Sequence, residues 1–391
     1  MKILNVKIKG FRSLSNVTVN NIGPINIFYG ENNAGKSNIL AALEILMKVE
    51  NVAQSESIVG NFLNGELSNF IDNFTITKSG EKANKINIIG RVGLDDNDLK
   101  LIGNFEEIIK TLNIYEDGHT QRIEIHAEIQ QTVPGRALKT IKSITVNRKQ
   151  MYSSAQQGRF FTTGLGPSQK RQEAAEELIH FLVNSILIIR TNRFLGEENV
   201  SERSVLSISS QEFKNWLLTM SRSRGEKFEI YNKIVDLFSN KPYEYGKIHP
   251  FVEDDKVGIV VYDNNGRELI IERLGTGIHQ ILLLLSNIVY SKAKIIGIEE
   301  IELNLSPSLQ HRTVTMLKEL VGKSPEKQIN QLFLTSHSFH LSTRQDVVLF
   351  AVQLNENRET EVKWGAKAIA DLPGYFDHGL IKIPGKKIWR K

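Results

Sequence analysis

The chain has 391 residues, 40% hydrophobic and 24% charged, with a net charge of +5 at pH 7 and no cysteine. That length is long for one compact domain and fits two or three lobes, while the lack of cysteine excludes disulfides and thiolate metal sites and suits a reducing cytoplasm. No apolar run nears the roughly 20 residues that cross a bilayer, no signal peptide is expected, and the mild basic balance permits a polyanionic partner without requiring one.

In chain order, apolar residues alternate at Ile3, Val6 and Ile8, then at Val17 and Val19, then at Ile25 and Ile27, predicting three strands. Residues 30–37 follow and read Gly-Glu-Asn-Asn-Ala-Gly-Lys-Ser. They match the phosphate-binding pattern G-x-x-x-x-G-K-[ST] at every defined position. Gly30 and Gly35 let the backbone curl so that N–H groups converge on an anion. Lys36 has the reach for β- and γ-phosphates, and the Ser37 hydroxyl suits Mg²⁺, which prefers oxygen ligands. Ile39, Leu40, Leu43, Leu46 and Met47 then repeat at helical spacing to about residue 49. Strand, glycine loop and helix aim a helix N-terminus at phosphate, so ATP and Mg²⁺ are the expected ligands.

Residues 51–82 are polar and carry little pattern. Strand signals return at 86–88, 123–129 and 141–146 and suggest an antiparallel lobe. Loops fall at Gly135 and at 158–167, a helix at 172–181 and a buried strand at 186–189. Residues 200–240 read as helical. A hairpin is predicted around Asp263-Asn264-Asn265-Gly266, and a long apolar helix over 276–290.

Residues 295–300 form an apolar strand that ends in two carboxylates, Glu299 and Glu300. A nucleotide hydrolase places acids at such a strand end, facing Mg²⁺ and the attacking water. Neighbouring strand residues point oppositely, so the pair is expected to divide the work. Glu299 would lie near Mg²⁺, through water, and Glu300 would orient or deprotonate the hydrolytic water. Leu274-Gly275-Thr276-Gly277-Ile278-His279-Gln280 opens a helix with glycines and a threonine, which suits an anion or merely a core helix cap. His337 ends a further apolar strand, where an imidazole contacts a γ-phosphate or serves structure alone.

These four segments, in this order, resemble the ABC-type ATPase heads of the SMC/RecF/OLD (overcoming lysogenization defect) group. Walker A is 30–37, the signature-like motif 274–280, Walker B with its D-loop 295–310, and the switch histidine His337. The run Glu299-Glu300-Ile301-Glu302-Leu303-Asn304-Leu305-Ser306-Pro307 looks most like the OLD-type version. It departs from that version at Ile301, where proline is usual, and at Asn304 and Ser306, where histidines are common. The resemblance implies an α/β fold: a P-loop ABC-type ATPase head whose mixed central sheet carries an antiparallel β lobe and a helical insertion. Expected segments are 1–150 (ATPase lobe with Walker A and the β subdomain), 151–250 (mainly helical insertion), 251–350 (ATPase lobe with signature, Walker B and switch histidine) and 351–391 (extension with a basic tail).

The resemblance also implies a site. Gly30, Asn32, Asn33, Ala34, Gly35, Lys36, Ser37 and Asn38 would hold ATP, with Arg12 a further candidate. Gly275, Thr276 and Gly277 would reach the γ-phosphate of a second subunit, so that ATP is sandwiched in a homodimer. Lys36, Glu300 and His337 would act in hydrolysis, and Ser37 and Glu299 at the metal. No Glu with a spaced Asp-x-Asp follows His337, so this chain is not expected to be a Toprim nuclease. It is expected to act beside a separate effector such as a nuclease or toxin, in anti-phage defence. The alternative is a RecF-type DNA-binding ATPase of repair or replication. Basic residues at Arg136, Lys139, Lys142, Arg148 and Lys149, at Arg222, Arg224 and Lys227, and in the tail 386–391 suit nucleic acid or plain solvation. Arg190 and Arg193 suit a nucleotide, an interface or a structural ion pair. His126, His180 and His311 share no metal-ligand spacing, so zinc is not expected.

Overall fold

A computed structural model describes residues 1–48, 85–102, 121–133, 136–146, 149–153, 177–178, 180–190, 212–322, 329–370 and 372. Arg148, Arg193, the 158–167 loop, the tail 386–391 and most of the helix expected at 172–181 lie outside them. So do the side chains of Arg136, Lys139, Lys142 and Lys149. The chain forms two compact units that are discontinuous in sequence. The first comprises Met1–Ile188, Lys294–Gly297 and Ile329–Lys391, and the second Ile189–Ala293 and Ile298–Gln328.

In the first unit, β1 (Lys2–Phe11), β2 (Leu14–Val19) and β3 (Ile25–Tyr29) precede the glycine loop, and α1 (Lys36–Met47) follows it. The three strands do not stay together. β1 and β2 bury alternate residues, whereas all five residues of β3 are buried. Alternation suits a sheet with one wet face, and a continuous apolar run suits a strand covered on both. β1 and β2 accordingly join β4 (Lys85–Leu94), β5 (Gln121–Val133), β6 (Arg136–Val146) and β7 (Lys149–Ser153), with α2 (Asp96–Leu101) following β4. The antiparallel sheet runs β2-β1-β4-β5-β6-β7.

β3 lies inside a second six-stranded sheet with β8 (Ile186–Ile189), β12 (Ile295–Ile298), β13 (Gln331–Ser336), β14 (Val348–Leu354) and β15 (Thr360–Trp364). Its order is β15-β14-β3-β13-β12-β8. β3 runs parallel to both β13 and β14, while β15 returns antiparallel along β14. The apolar run 348–354 is mostly buried as β14. α1 is buried nearly all round and packs on β1, β4 and β5 and on β13. A helix apolar on every side belongs in an interior. Gly90 of β4 permits its close approach, since a Cβ there would lie 2.0 Å from Leu46 Cδ2. The buried Gln331 amide ties the two sheets: Oε1 accepts from Ile3 N at 2.8 Å and Nε2 donates to Ile3 O at 3.0 Å.

The second unit contains α3 (Phe213–Arg222), α4 (Glu226–Ser239), β9 (Lys247–Glu253), β10 (Lys256–Tyr262) and β11 (Glu268–Ile270). It also contains α5 (Thr276–Ser291) and α6 (Pro307–Leu320). The hairpin expected at 263–266 joins β10 to β11, closed by Gly266 N donating to Asp263 O at 2.9 Å. Trp216 of α3 stacks on Phe213 and meets Tyr290 of α5 edge-on at 5.3 Å.

Candidate functional site

Two sets of site residues emerge, one in each unit. In the first, the chain leaves β3, makes a turn in which Ala34 N donates to Glu31 O, and enters α1 through Gly35. Asn33 and Gly35 take left-handed φ values of +62° and +101°. Asparagine tolerates that region and glycine adopts it freely. Gly30 is also sterically fixed: a Cβ there would lie 2.0 Å from Val352 O of β14. α1 has no acidic residue in its first turn and no side-chain cap, so its N-terminal dipole is not answered by a carboxylate of its own. Lys36 is buried, and its Nζ donates to Gly30 O at 2.8 Å and Glu31 O at 2.6 Å. The ammonium is therefore folded back over the loop. Ser37, Asn32 and Asn33 face solvent.

His337 is exposed and follows β13 directly. The preceding residue, Ser336, accepts a hydrogen bond from Gly30 N at 3.3 Å. Backbone pairing thus sets the first glycine of the loop one residue away from the histidine. Arg12, at φ +50° in the β1–β2 turn, donates from Nη1 to Asn38 Oδ1 at 3.0 Å. Two residues assigned to nucleotide from the sequence are thereby bonded to each other.

In the second unit, α5 opens at Gly275, again with no acid in its first turn. Gly275 and Thr276 are exposed, and a Cβ added at Gly275 would touch nothing. Gly277 differs: a Cβ there would lie 2.7 Å from Asn304 O. The signature helix therefore packs directly against the turn that follows the paired acids. That turn holds Glu300 at φ +44°, a strained value for a glutamate, and Asn304 at φ +56°, which asparagine tolerates. It ends at Ser306, whose hydroxyl caps α6 by accepting from Leu309 N, with Pro307 in the first turn. Ser306 thus has a helix-starting role where histidine is common, and Ile301 is fully buried where proline is usual.

Glu299 is buried and Glu300 half-buried. Glu299 N donates to Ile189 O at 2.9 Å, and Glu299 Oε1 accepts from Arg190 Nη1 at 3.2 Å. Of the roles open to Arg190, the structure shows an ion pair. The pair sets an opposite charge beside the carboxylate in a poorly solvated place. Lys214, also buried, pairs with Glu272 just ahead of the signature loop, and His279 Nε2 lies 2.6 Å from Ile271 O. Sequence reasoning missed the pairing of Arg190 with Glu299, and it missed Lys214, Val352 and the hydroxyls of Ser13 and Thr360.

The first set fits a phosphate chain. It offers a left-handed glycine turn, a helix N-terminus without an acid, and an ammonium now bonded to carbonyls of its own loop. Gly30 through Ser37 would hold such a ligand, and Ser37 would offer oxygen to a divalent cation. That cation would supply charge neutralisation to the phosphates. Among the described residues no cluster of three or more His, Cys, Asp or Glu stands ready to hold a metal alone. No described helix is long and apolar enough to cross a membrane.

This architecture is that of a P-loop ABC-type ATPase head. Among solved structures the chain is similar to the Smc head domain with an extended coiled coil bound to the C-terminal domain of ScpA, derived from Pyrococcus furiosus. Identity is 13% and the TM-score 0.53, covering 94% of this chain and 97% of that one. It also aligns with the SMC head domain from Thermotoga maritima at 14% identity and a TM-score of 0.47, over 93% of this chain and 99% of that one. Curated protein sequences provide no match. Residues 25–342 match the family described as "AAA domain, putative AbiEii toxin, Type IV TA system", and the chain belongs to that family. It carries an AAA-type ATPase domain.

Proposed function

We propose that the protein binds ATP with Mg²⁺ at 30–38 and hydrolyses it slowly as a nucleotide-dependent dimeric switch, in the OLD-like manner, for a separate effector in the cytoplasm. The observation that carries this reading is the loop itself: Gly35 at φ +101°, Lys36 folded over the loop, and an α1 N-terminus without an acid. Lys36 neutralises the phosphates, Ser37 and Glu299 serve the metal, and Glu300 orients or deprotonates the attacking water. Phosphoryl transfer needs little else beyond positioning and charge stabilisation. His337 and Arg12 are further phosphate contacts. Gly275, Thr276 and Gly277 complete the site of a second copy, and ATP then favours the closed pair. The family description names a type IV toxin–antitoxin system, which supports work beside a partner product and a role in anti-phage defence.

The test compares wild type with Glu300→Gln and Lys36→Ala, measuring ATP hydrolysis and running a sizing column in ATP. Glu300→Gln is expected to abolish turnover while ATP-bound dimers accumulate, and Lys36→Ala to abolish nucleotide binding. Unchanged turnover in Glu300→Gln removes Glu300 from its role. A wild type that binds no nucleotide ends the reading.

A further inference from the structure

Thr360 opens β15 and is only 4% exposed. Its backbone N–H donates to Ser13 O at 2.8 Å, which seats it on the β1–β2 turn. Its hydroxyl lies 2.9 Å from Ala34 O and 2.7 Å from Ser13 Oγ. Ser13 Oγ accepts from Asn38 Nδ2 at 3.0 Å, and Asn38 Oδ1 accepts from Arg12 Nη1 at 3.0 Å. A hydroxyl carries one proton. All four side-chain contacts hold together when Arg12 donates to Asn38, Asn38 to Ser13, Ser13 to Thr360 and Thr360 to Ala34. The network then has a single polarity and ends on a single carbonyl.

That carbonyl precedes Gly35. The Ala34–Gly35 peptide is trans, so its C=O and N–H point in opposite directions. Fixing the carbonyl toward β15 fixes the Gly35 N–H away from it. Glycine does not choose this orientation unaided, because it visits many backbone conformations at similar energy. Thr360 also sits hard against the glycine: a Cβ at Gly35 would lie 2.1 Å from Thr360 Oγ1.

We propose that Thr360 is a positioning residue of the nucleotide site, holding the Ala34 carbonyl outward so that the Gly35 N–H is presented to phosphate. This rests on the reading of 30–38 as a nucleotide site. It gives the C-terminal hairpin β14–β15 a part in ATP binding without any contact to the nucleotide.

The test is titration calorimetry with ATP and with ADP on wild type, Thr360→Val and Thr360→Ser, with melting temperatures alongside. Thr360→Val is expected to weaken both nucleotides by about 5- to 10-fold, the worth of one hydrogen bond. Hydrolysis at saturating ATP should change by less than about 2-fold, since ground state and transition state lose the same contact. Thr360→Ser keeps the hydroxyl and should bind as wild type does. A lower melting temperature with unchanged affinity would mean a structural role only and overturns the proposal. Should Thr360→Val not fold, Ser13→Ala removes the hydroxyl that orients Thr360, and roughly 2- to 3-fold weaker binding is expected. Unchanged affinity there overturns it as well. A wild type that binds neither nucleotide defeats the site reading itself, an outcome distinct from a wild type that binds while Thr360→Val matches it.

Discussion

At the residue scale, the two glycines of the signature loop are different in kind although they lie two positions apart. Gly277 faces the Asn304 carbonyl at 2.7 Å from a notional Cβ, and backbone cannot rotate out of the way, whereas Gly275 faces open space. Gly277→Ala should therefore lower stability by about 1–3 kcal/mol through overpacking, and Gly275→Ala should leave the melting temperature where it is. Denaturant unfolding of both variants checks this. Any loss of hydrolysis in Gly275→Ala then reports a contact with something beyond the subunit's own fold. The same scale shows where sequence reading stops. The pattern at 30–37 was legible because a phosphate loop demands glycine, lysine and serine at set spacings. Thr360 offered no signal: one threonine 326 positions from Ala34 gains its meaning from a strand pairing that spacing does not encode.

At the element scale, the spacing of Ile39, Leu40, Leu43, Leu46 and Met47 predicts α1 as a helix but not its burial, which is almost all round. The apolar stripe was visible; the small residues Ala41 and Ala42, which allow a second packing face, carry no periodic mark. Its docking on β4 depends on Gly90. Gly90→Ala should cost about 1–3 kcal/mol, because Leu46 is itself wholly buried and has nowhere to move. Adding Leu46→Ala should make the double variant more stable than independent losses predict, a coupling seen in a double-mutant cycle by denaturant titration. Additive losses would mean that α1 does not bear on Gly90. β3 and β14 tell the complementary story. Both are short, mostly apolar runs buried in the sheet, but only β3 has a motif beside it, and 348–354 has no such neighbour. The departure of β1 and β2 to another sheet was legible in principle from their alternation, set against the unbroken run of β3.

At the scale of the whole molecule, the proposed sandwich makes a prediction that no single subunit can satisfy. If the phosphate loop of one copy works with the signature loop of another, defects in the two loops should complement. Lys36→Ala and Thr276→Arg, each inactive alone, should recover part of the wild-type hydrolysis when mixed, since a mixed pair contains one intact site. A mixture as inactive as its components would place the whole reaction within one chain.

The position of β3 has a consequence for synthesis. Both of its partners in the sheet, β13 and β14, lie far along the sequence from it, and Thr360 follows later still. A ribosome adds roughly 5–20 residues per second, so the 326 positions between Ala34 and Thr360 take tens of seconds to appear. For most of that time a strand made for burial on both faces has neither neighbour, and the nascent chain carries the letters of a nucleotide site without its shape. Newly made protein should acquire ATP only after Thr360 has been made and paired, once the aggregation-prone interval has passed.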